Sequence, residues 1–273
     1  MSLAGARFEK WEGLGNDFVI LEAREGLAFG PAEARVLCDR RRGIGADGVL
    51  VVERPVGEAP RMIVWNADGS RPEMCGNGLR CVAAHIASES SSSTSELVIA
   101  TDAGPRKCLV ERAPSGTYEV TVGMGTARST GDLVVSIGGR ELRFRAVDVG
   151  NPHAISFEPF DDPDLDRIGP VVATSIPGGT NVELCRVHKV SAGERPLIDV
   201  IVWERGVGRT LACGTGACAA LAAACEAELA PFDEPVRMAL PGGELLVIVG
   251  AERRDIVMKG PARRVFAGEV VSA

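Results

Sequence analysis

The chain has 273 residues, 45% of them apolar and 25% charged, and a net charge of −7. That is a globular balance, with length for one large domain or two smaller ones. An acidic chain lacks the basic face that nucleic-acid phosphates select, no run reaches the ~20 apolar residues of a membrane-spanning helix, and the opening MSLAGARFEK has no apolar stretch before a cleavage site. The expectation is a cytoplasmic protein with no nucleic-acid partner and no membrane contact.

Along the first half, FVILEA, GVLVVE, RMIVW, ELVIAT, KCLVE and TYEVTVG read as strands, bounded by Gly, Pro or polar residues. A short helix is expected over residues 31–40, with proline in its first turn. A second is expected over 77–88. The serine tract 88–95 reads as a flexible loop. The second half continues with DLVVSI, ELRFRAVDV, AISF, LIDVIVW, GELLVIVG and DIVMKG. Its helix, over 215–229, is Ala-rich and apolar on nearly every side, so it should be buried.

Two segments are near copies. IVWNADGSRPEMCGNG (63–78) and IVWERGVGRTLACGTG (201–216) align without a gap and share seven identities, ending in Cys-Gly-x-Gly. The chain therefore reads as two similar halves, residues 1–128 and 129–273, each carrying one Cys-Gly turn. The expected fold is α+β: two pseudo-symmetric lobes, each a curled, mostly antiparallel sheet around a central helix, with the active site between them.

Each turn places a cysteine at the start of an apolar helix. Glycines there expose backbone N–H groups, and the helix N-terminus favours both a thiolate and a docked carboxylate. Two such thiols on either side of a small acid could take a proton from one face of a carbon and return one to the other. The N–H groups would stabilise the carbanion formed beside the carboxylate. No glycine-rich dinucleotide motif follows a strand, and none of Lys10, Lys107, Lys189 and Lys259 has a Schiff-base context, so no cofactor is expected. Zinc is not expected either: the spacings are C-x5-C for Cys75/Cys81, outside the two-to-four residues of zinc pairs, and C-x4-C for Cys213/Cys218, and residues six apart on a helix do not share a face. A Cys75–Cys213 redox switch stays open, although no C-x-x-C is present. The remaining cysteines lie in apolar stretches and read as small hydrophobes.

The motifs resemble the diaminopimelate epimerase family along nearly the whole chain. GLGNDF (13–18), GIGADG (43–48), NADGSRPEMCGNGLR (66–80), GNPH (150–153), GTNVE (179–183) and ERGVGRTLACGTGAC (204–218) occur in the family's order. The resemblance implies Cys75 and Cys213 as the two acid–base residues, with His153 and Glu204 beside them setting the thiol charge. It implies Gly76, Asn77, Gly214 and Thr215 as the cradle of the reacting carboxylate. Asn16, Asn66, Asn151, Asn181, Glu204 and Arg205 would hold the rest of the substrate. The implied activity is interconversion of LL- and meso-diaminopimelate on the route to lysine and peptidoglycan precursors, without pyridoxal phosphate, by a homodimer. A racemase of another amino acid on the same fold is the alternative. Two departures stand out: Trp11-Glu12 where Met-His is common, and Gly48 where some members carry Gln. Both bear on fine specificity.

Overall fold

The computed structural model describes residues 3–24, 28–191 and 193–271. They form two compact units, one of residues 1–122 with 260–273 and the other of residues 123–259. Residues 260–273 belong with the first unit through the strand pairing described below.

The first unit opens with a hairpin of β1 (Arg7–Gly13) and β2 (Asn16–Glu22). Leu14 and Gly15, its two linking residues, have φ of 57° and 79°, the geometry that matches strand twist in a tight hairpin. Helix α1 (Pro31–Cys38) then crosses to β3 (Gly48–Glu53), parallel to β2, and β4 (Arg61–Asn66) returns antiparallel. Helix α2 (Gly76–Ser88) follows, then the meander β5 (Thr94–Ile99), β6 (Arg106–Arg112) and β7 (Tyr118–Thr126). β3 is apolar on both faces, as a strand covered on both sides must be. Val49 and Val51 pack with Leu37 and Cys38 of α1, while Leu50 meets α2 at Gly78. α2 is buried almost all round, including Arg80, whose Nε donates to the Pro261 carbonyl at 3.2 Å. Its His85 lies between Glu9 and Glu22, 2.8 Å from each.

The second unit repeats this plan. β8 (Arg128–Ile137) precedes β9 (Arg140–Asp148), which forms an antiparallel pair with β10 (Pro152–Ser156). Helix α3 (Asp164–Ala173) crosses to β11 (Asn181–Val187), parallel to β10, and β12 (Leu197–Glu204) returns antiparallel. After the short β13 (Gly208–Thr210) comes α4 (Gly214–Glu226), then β14 (Val236–Leu240), β15 (Gly243–Val249) and β16 (Asp255–Glu269). The order hairpin, crossover helix, parallel strand, return strand, Cys-Gly helix is therefore common to both units. The fold is α+β, with one buried helix against each sheet, α4 packing on β9, β10, β11, β12, β14 and β15. β16 runs on past this unit: residues 256–259 pair with β15, and residues 263–269 pair with β1.

The sequence reading omits α3, whose interior carries Pro170. Its Leu165, Ile168 and Val172 nevertheless bury against Leu142, Phe144, Val182 and Leu184, and that tertiary burial outweighs the lost backbone bond. Gly169 makes the close approach possible, since a Cβ there would lie 2.6 Å from the Trp203 ring. The serine tract is shorter as a loop than expected, because β5 begins at Thr94 and the Ser92 hydroxyl donates to the Thr94 carbonyl at 2.6 Å.

Candidate active site

Cys75 is the N-cap of α2 and Cys213 the N-cap of α4, both in extended conformation. Each sulfur takes the place of the usual capping oxygen. Cys75 Sγ accepts from the Gly78 N–H at 3.4 Å, and Cys213 Sγ accepts from the Gly216 N–H at 3.3 Å. A backbone donor at a helix N-terminus favours the anionic form of its acceptor. The third helical residue is glycine in both, and an added Cβ would meet a different neighbour in each. A Cβ at Gly78 would meet a Leu50 methyl at 2.9 Å, and one at Gly216 would meet Glu183 Oε1 at 2.5 Å. The N–H groups of Gly76, Gly214 and Thr215 find no acceptor among the described residues. Each helix start therefore presents open backbone donors of the kind that can meet an anion.

In the first unit, Asn77 Nδ2 donates to Asn16 Oδ1 at 3.1 Å, and Asn16 Nδ2 donates to Asp47 at 2.7 Å. Asp47 and Asp17 share Arg40. Burial pushes the Asp17 carboxyl up, but the Arg40 and Lys10 cations outweigh it and hold the group below its ordinary value. Asn16 and Asn77 are thus brought together beside Cys75. Asn66 pairs with Gly48 across β3 and β4, and its amide donates to the Ser70 hydroxyl at 2.9 Å.

The departures have structural causes. Trp11 is fully buried, edge-on to His85 and tilted against Tyr118. Glu12 is paired with Arg263 at 2.9 Å, so the charge introduced there is neutralised. A Cβ at Gly48 would stand 2.7 Å from the Trp65 carbonyl. Only glycine fits this backbone.

In the second unit, Cys213 is buried and surrounded by polar groups. Its sulfur lies 3.4 Å from the Thr215 hydroxyl, which accepts from Asn151 Nδ2 at 3.4 Å. Asn151 Oδ1 is 3.1 Å from His153 Nε2, and His153 Nδ1 is 2.7 Å from Glu183 Oε1. Burial, then the Glu204 and Glu183 charges, push the Cys213 thiol well above its ordinary value. Burial also raises the Glu204 carboxyl, against the Thr210 hydroxyl that donates to it at 2.6 Å. Cys213 is therefore held toward the thiol, the form a proton donor needs. Asn181 accepts the Arg205 backbone N–H at 2.8 Å, and the Arg205 guanidinium donates to the Gly178 carbonyl at 2.6 Å. That guanidinium has no carboxylate partner among the described residues, which leaves its fork open to an acid.

Three residues of these constellations carry no role in the sequence reading: Asp47, Thr210 and Glu183. Asp47 and Glu183 sit inside the quoted blocks GIGADG and GTNVE. Period-two alternation along β11 puts Glu183 on the same face as Asn181, the signal that could have marked it.

The diaminopimelate epimerase family model matches residues 8–130 and 145–265. A diaminopimelate epimerase of Sphingopyxis alaskensis is 42% identical over 278 residues, 96% of each chain. One from Xanthomonas campestris is 37% identical over 282 residues, 96% of this chain and 95% of its own. Among solved structures, a phenazine biosynthesis protein of Bacillus anthracis superposes with a TM-score of 0.74 at 14% identity, covering 97% of this chain and 98% of its own. A hydroxyproline epimerase of Agrobacterium vitis, with bound trans-4-hydroxy-L-proline, gives 0.70 at 14% identity, covering 97% and 90%. These distant structures share the fold.

Proposed function

The chain belongs to the diaminopimelate epimerase family, and from that membership we propose that it interconverts LL- and meso-2,6-diaminopimelate with Cys75 and Cys213 as its two acid–base groups. It is an isomerase acting on a small amino acid. The observation that carries the cysteine roles is the matched capping geometry: each thiol accepts an N–H of its own helix, at 3.4 Å and 3.3 Å.

In this reading one cysteine begins as thiolate and takes the α-proton. The electron pair spreads into the adjoining carboxylate, whose growing charge is met by the N–H groups of Gly76, Asn77, Gly214 and Thr215. The other cysteine, as thiol, delivers its proton to the opposite face of the carbon. Proton and charge balance, and the two cysteines exchange states for the reverse direction. Helix-end donors favour the thiolate, while burial beside Glu204 and Glu183 favours the thiol at Cys213. The reaction needs that asymmetry. At the distal end, Arg205 offers a bidentate site for the second carboxylate, and Asn16, Asn66, Asn151, Asn181 and Glu204 supply polar contacts to the rest of the substrate, with Glu204 suited to the ammonium group. Arg205 favours diaminopimelate over a proline-like substrate, which has no distal carboxylate to use it. The same reading places the protein in lysine and peptidoglycan precursor biosynthesis, in the cytoplasm, as a homodimer.

The test is proton NMR of LL-diaminopimelate in deuterated water with reduced protein. Loss of the α-proton signal with appearance of the meso isomer is expected. Cys75→Ser and Cys213→Ser should each abolish the interconversion. Full activity in either single variant overturns the cysteine roles, and exchange on another amino acid alone overturns the substrate.

A further inference from the structure

The geometry points to Glu183 as a positioning residue that fixes the His153 ring and, through Asn151 and Thr215, sets whether Cys213 waits as thiol or thiolate. This rests on the acid–base reading of Cys213 and extends it to a residue that touches no substrate.

Four observations converge. Glu183 and His153 are 0% and 1% exposed, so neither serves solubility. Glu183 Oε1 lies 2.7 Å from His153 Nδ1, while its Oε2 is buried with no hydrogen-bond partner among the described residues. Burying a carboxylate is expensive unless it is paired, and this one is only half satisfied. A Cβ on Gly216 would strike Glu183 Oε1 at 2.5 Å, so the carboxylate packs against the helical residue whose N–H caps Cys213. Finally, the chain Glu183–His153–Asn151–Thr215–Cys213 is continuous, with steps of 2.7, 3.1, 3.4 and 3.4 Å.

The hydrogen directions give the chain two settings. With Nδ1–H donating to Glu183 and Nε2–H donating to Asn151 Oδ1, the Asn151 amide donates to Thr215 and the Thr215 hydroxyl donates to the sulfur. That setting suits a Cys213 thiolate beside a protonated imidazole. Turning the Asn151 amide over reverses the chain. Asn151 then donates to Nε2 of a neutral ring, the Thr215 hydroxyl donates to the amide oxygen, and the Cys213 S–H donates to Thr215. Both settings hold the same number of protons. In both, Nδ1–H stays on Glu183, which is the fixed end. The charged and titratable groups around this chain are Glu183 on β11, His153 on β10, Glu204 on β12 and Cys213 at α4, with Cys185 beside Glu183 on its own strand; the Glu183 charge adds to burial in raising both Cys185 and Cys213.

The experiment is Glu183→Gln, which keeps shape and removes charge. Three readings are expected: kcat at least 30-fold lower with KM within threefold, Cys213 alkylation (followed by peptide mass) shifted to lower pH by one unit or more, and loss of the fixed Nδ1–H tautomer in the ¹⁵N spectrum of His153. A variant with the wild-type pH profile, alkylation midpoint and His153 tautomer overturns the proposal. Should Glu183→Gln not fold, the wild-type spectrum decides: a His153 ring bearing hydrogen on Nε2 alone between pH 6 and 9 overturns it. The alkylation and ¹⁵N readings need no turnover. Wild-type protein that exchanged no diaminopimelate proton would therefore sink the proposed function, while these two titrations still judge Glu183.

Discussion

Adding one methyl group separates the two cysteine turns. Gly78 and Gly216 occupy the same place in their helices, and alanine at either gains about 1 kcal/mol in helix propensity. At Gly78 the new Cβ meets a Leu50 methyl at 2.9 Å. Rotation of that side chain relieves the contact, so Gly78→Ala should change stability by no more than about 1 kcal/mol. At Gly216 the new Cβ falls 2.5 Å from Glu183 Oε1 and 3.2 Å from its Cδ. That carboxylate is buried and tied to His153 at 2.7 Å. Overpacking such a site costs about 1–3 kcal/mol, and loss of a charge-assisted hydrogen bond adds about 1.5–3 kcal/mol. Set against the helix gain, Gly216→Ala should lose about 1.5–5 kcal/mol. Urea unfolding of both variants beside wild type measures this, and α-proton exchange in deuterated water should show Gly216→Ala at least about tenfold slower than Gly78→Ala. Equal losses in the two variants, or a Gly216→Ala protein as stable as wild type, would refute the idea that the second turn is built against a buried carboxylate.

Two further outcomes follow from named contacts. Burial lowers the His85 pKa, but the Glu22 and Glu9 carboxylates outweigh it and leave the ring raised, while Glu22 is held down at about 2. A raised histidine contributes its stability fully below its unfolded value, about 6.5, and loses it as pH rises through the folded value. His85→Gln should therefore cost about 1–3 kcal/mol at pH 6 and clearly less at pH 9, as read from denaturation midpoints; a pH-independent gap contradicts the doubly paired ring. Arg205→Lys keeps the charge and loses the fork, so KM for diaminopimelate should rise about 10- to 100-fold with kcat within threefold, and an unchanged KM removes Arg205 from the distal carboxylate.

The cysteine turns were legible because glycine density and a gapless repeat mark them together, α4 because it is apolar nearly all round, and α2 because it follows the matching turn. What stayed hidden lies where a local rule is broken. β1 places Lys10 inward, paired with Asp17 and with the Gly45 carbonyl, so RFEKWEG does not read as a clean alternation. β11 carries the buried Glu183 in an otherwise apolar run. α3 contains Pro170 and forms only because its apolar face has a sheet to cover. Asn16, Asn77 and Asp47 form one hydrogen-bonded group although Asn77 is 61 residues from Asn16, a distance that propensity cannot span. A local pattern reports periodicity. It does not report which distant partner will make a buried charge tolerable.

The last strand bears on the order in which a ribosome could complete this molecule. Arg7 to Glu12 find their partners in residues 263–269, and the buried Arg80 finds the carbonyl of Pro261. β1 thus has β2 beside it at once but lacks its other neighbour until residues 263–269 have been made. The second unit has its own helix and strands in one unbroken stretch, from 123 to 259, and can close first. A chain halted just after residue 259 would hold every strand of the second unit, while β1 of the first would still have an open edge.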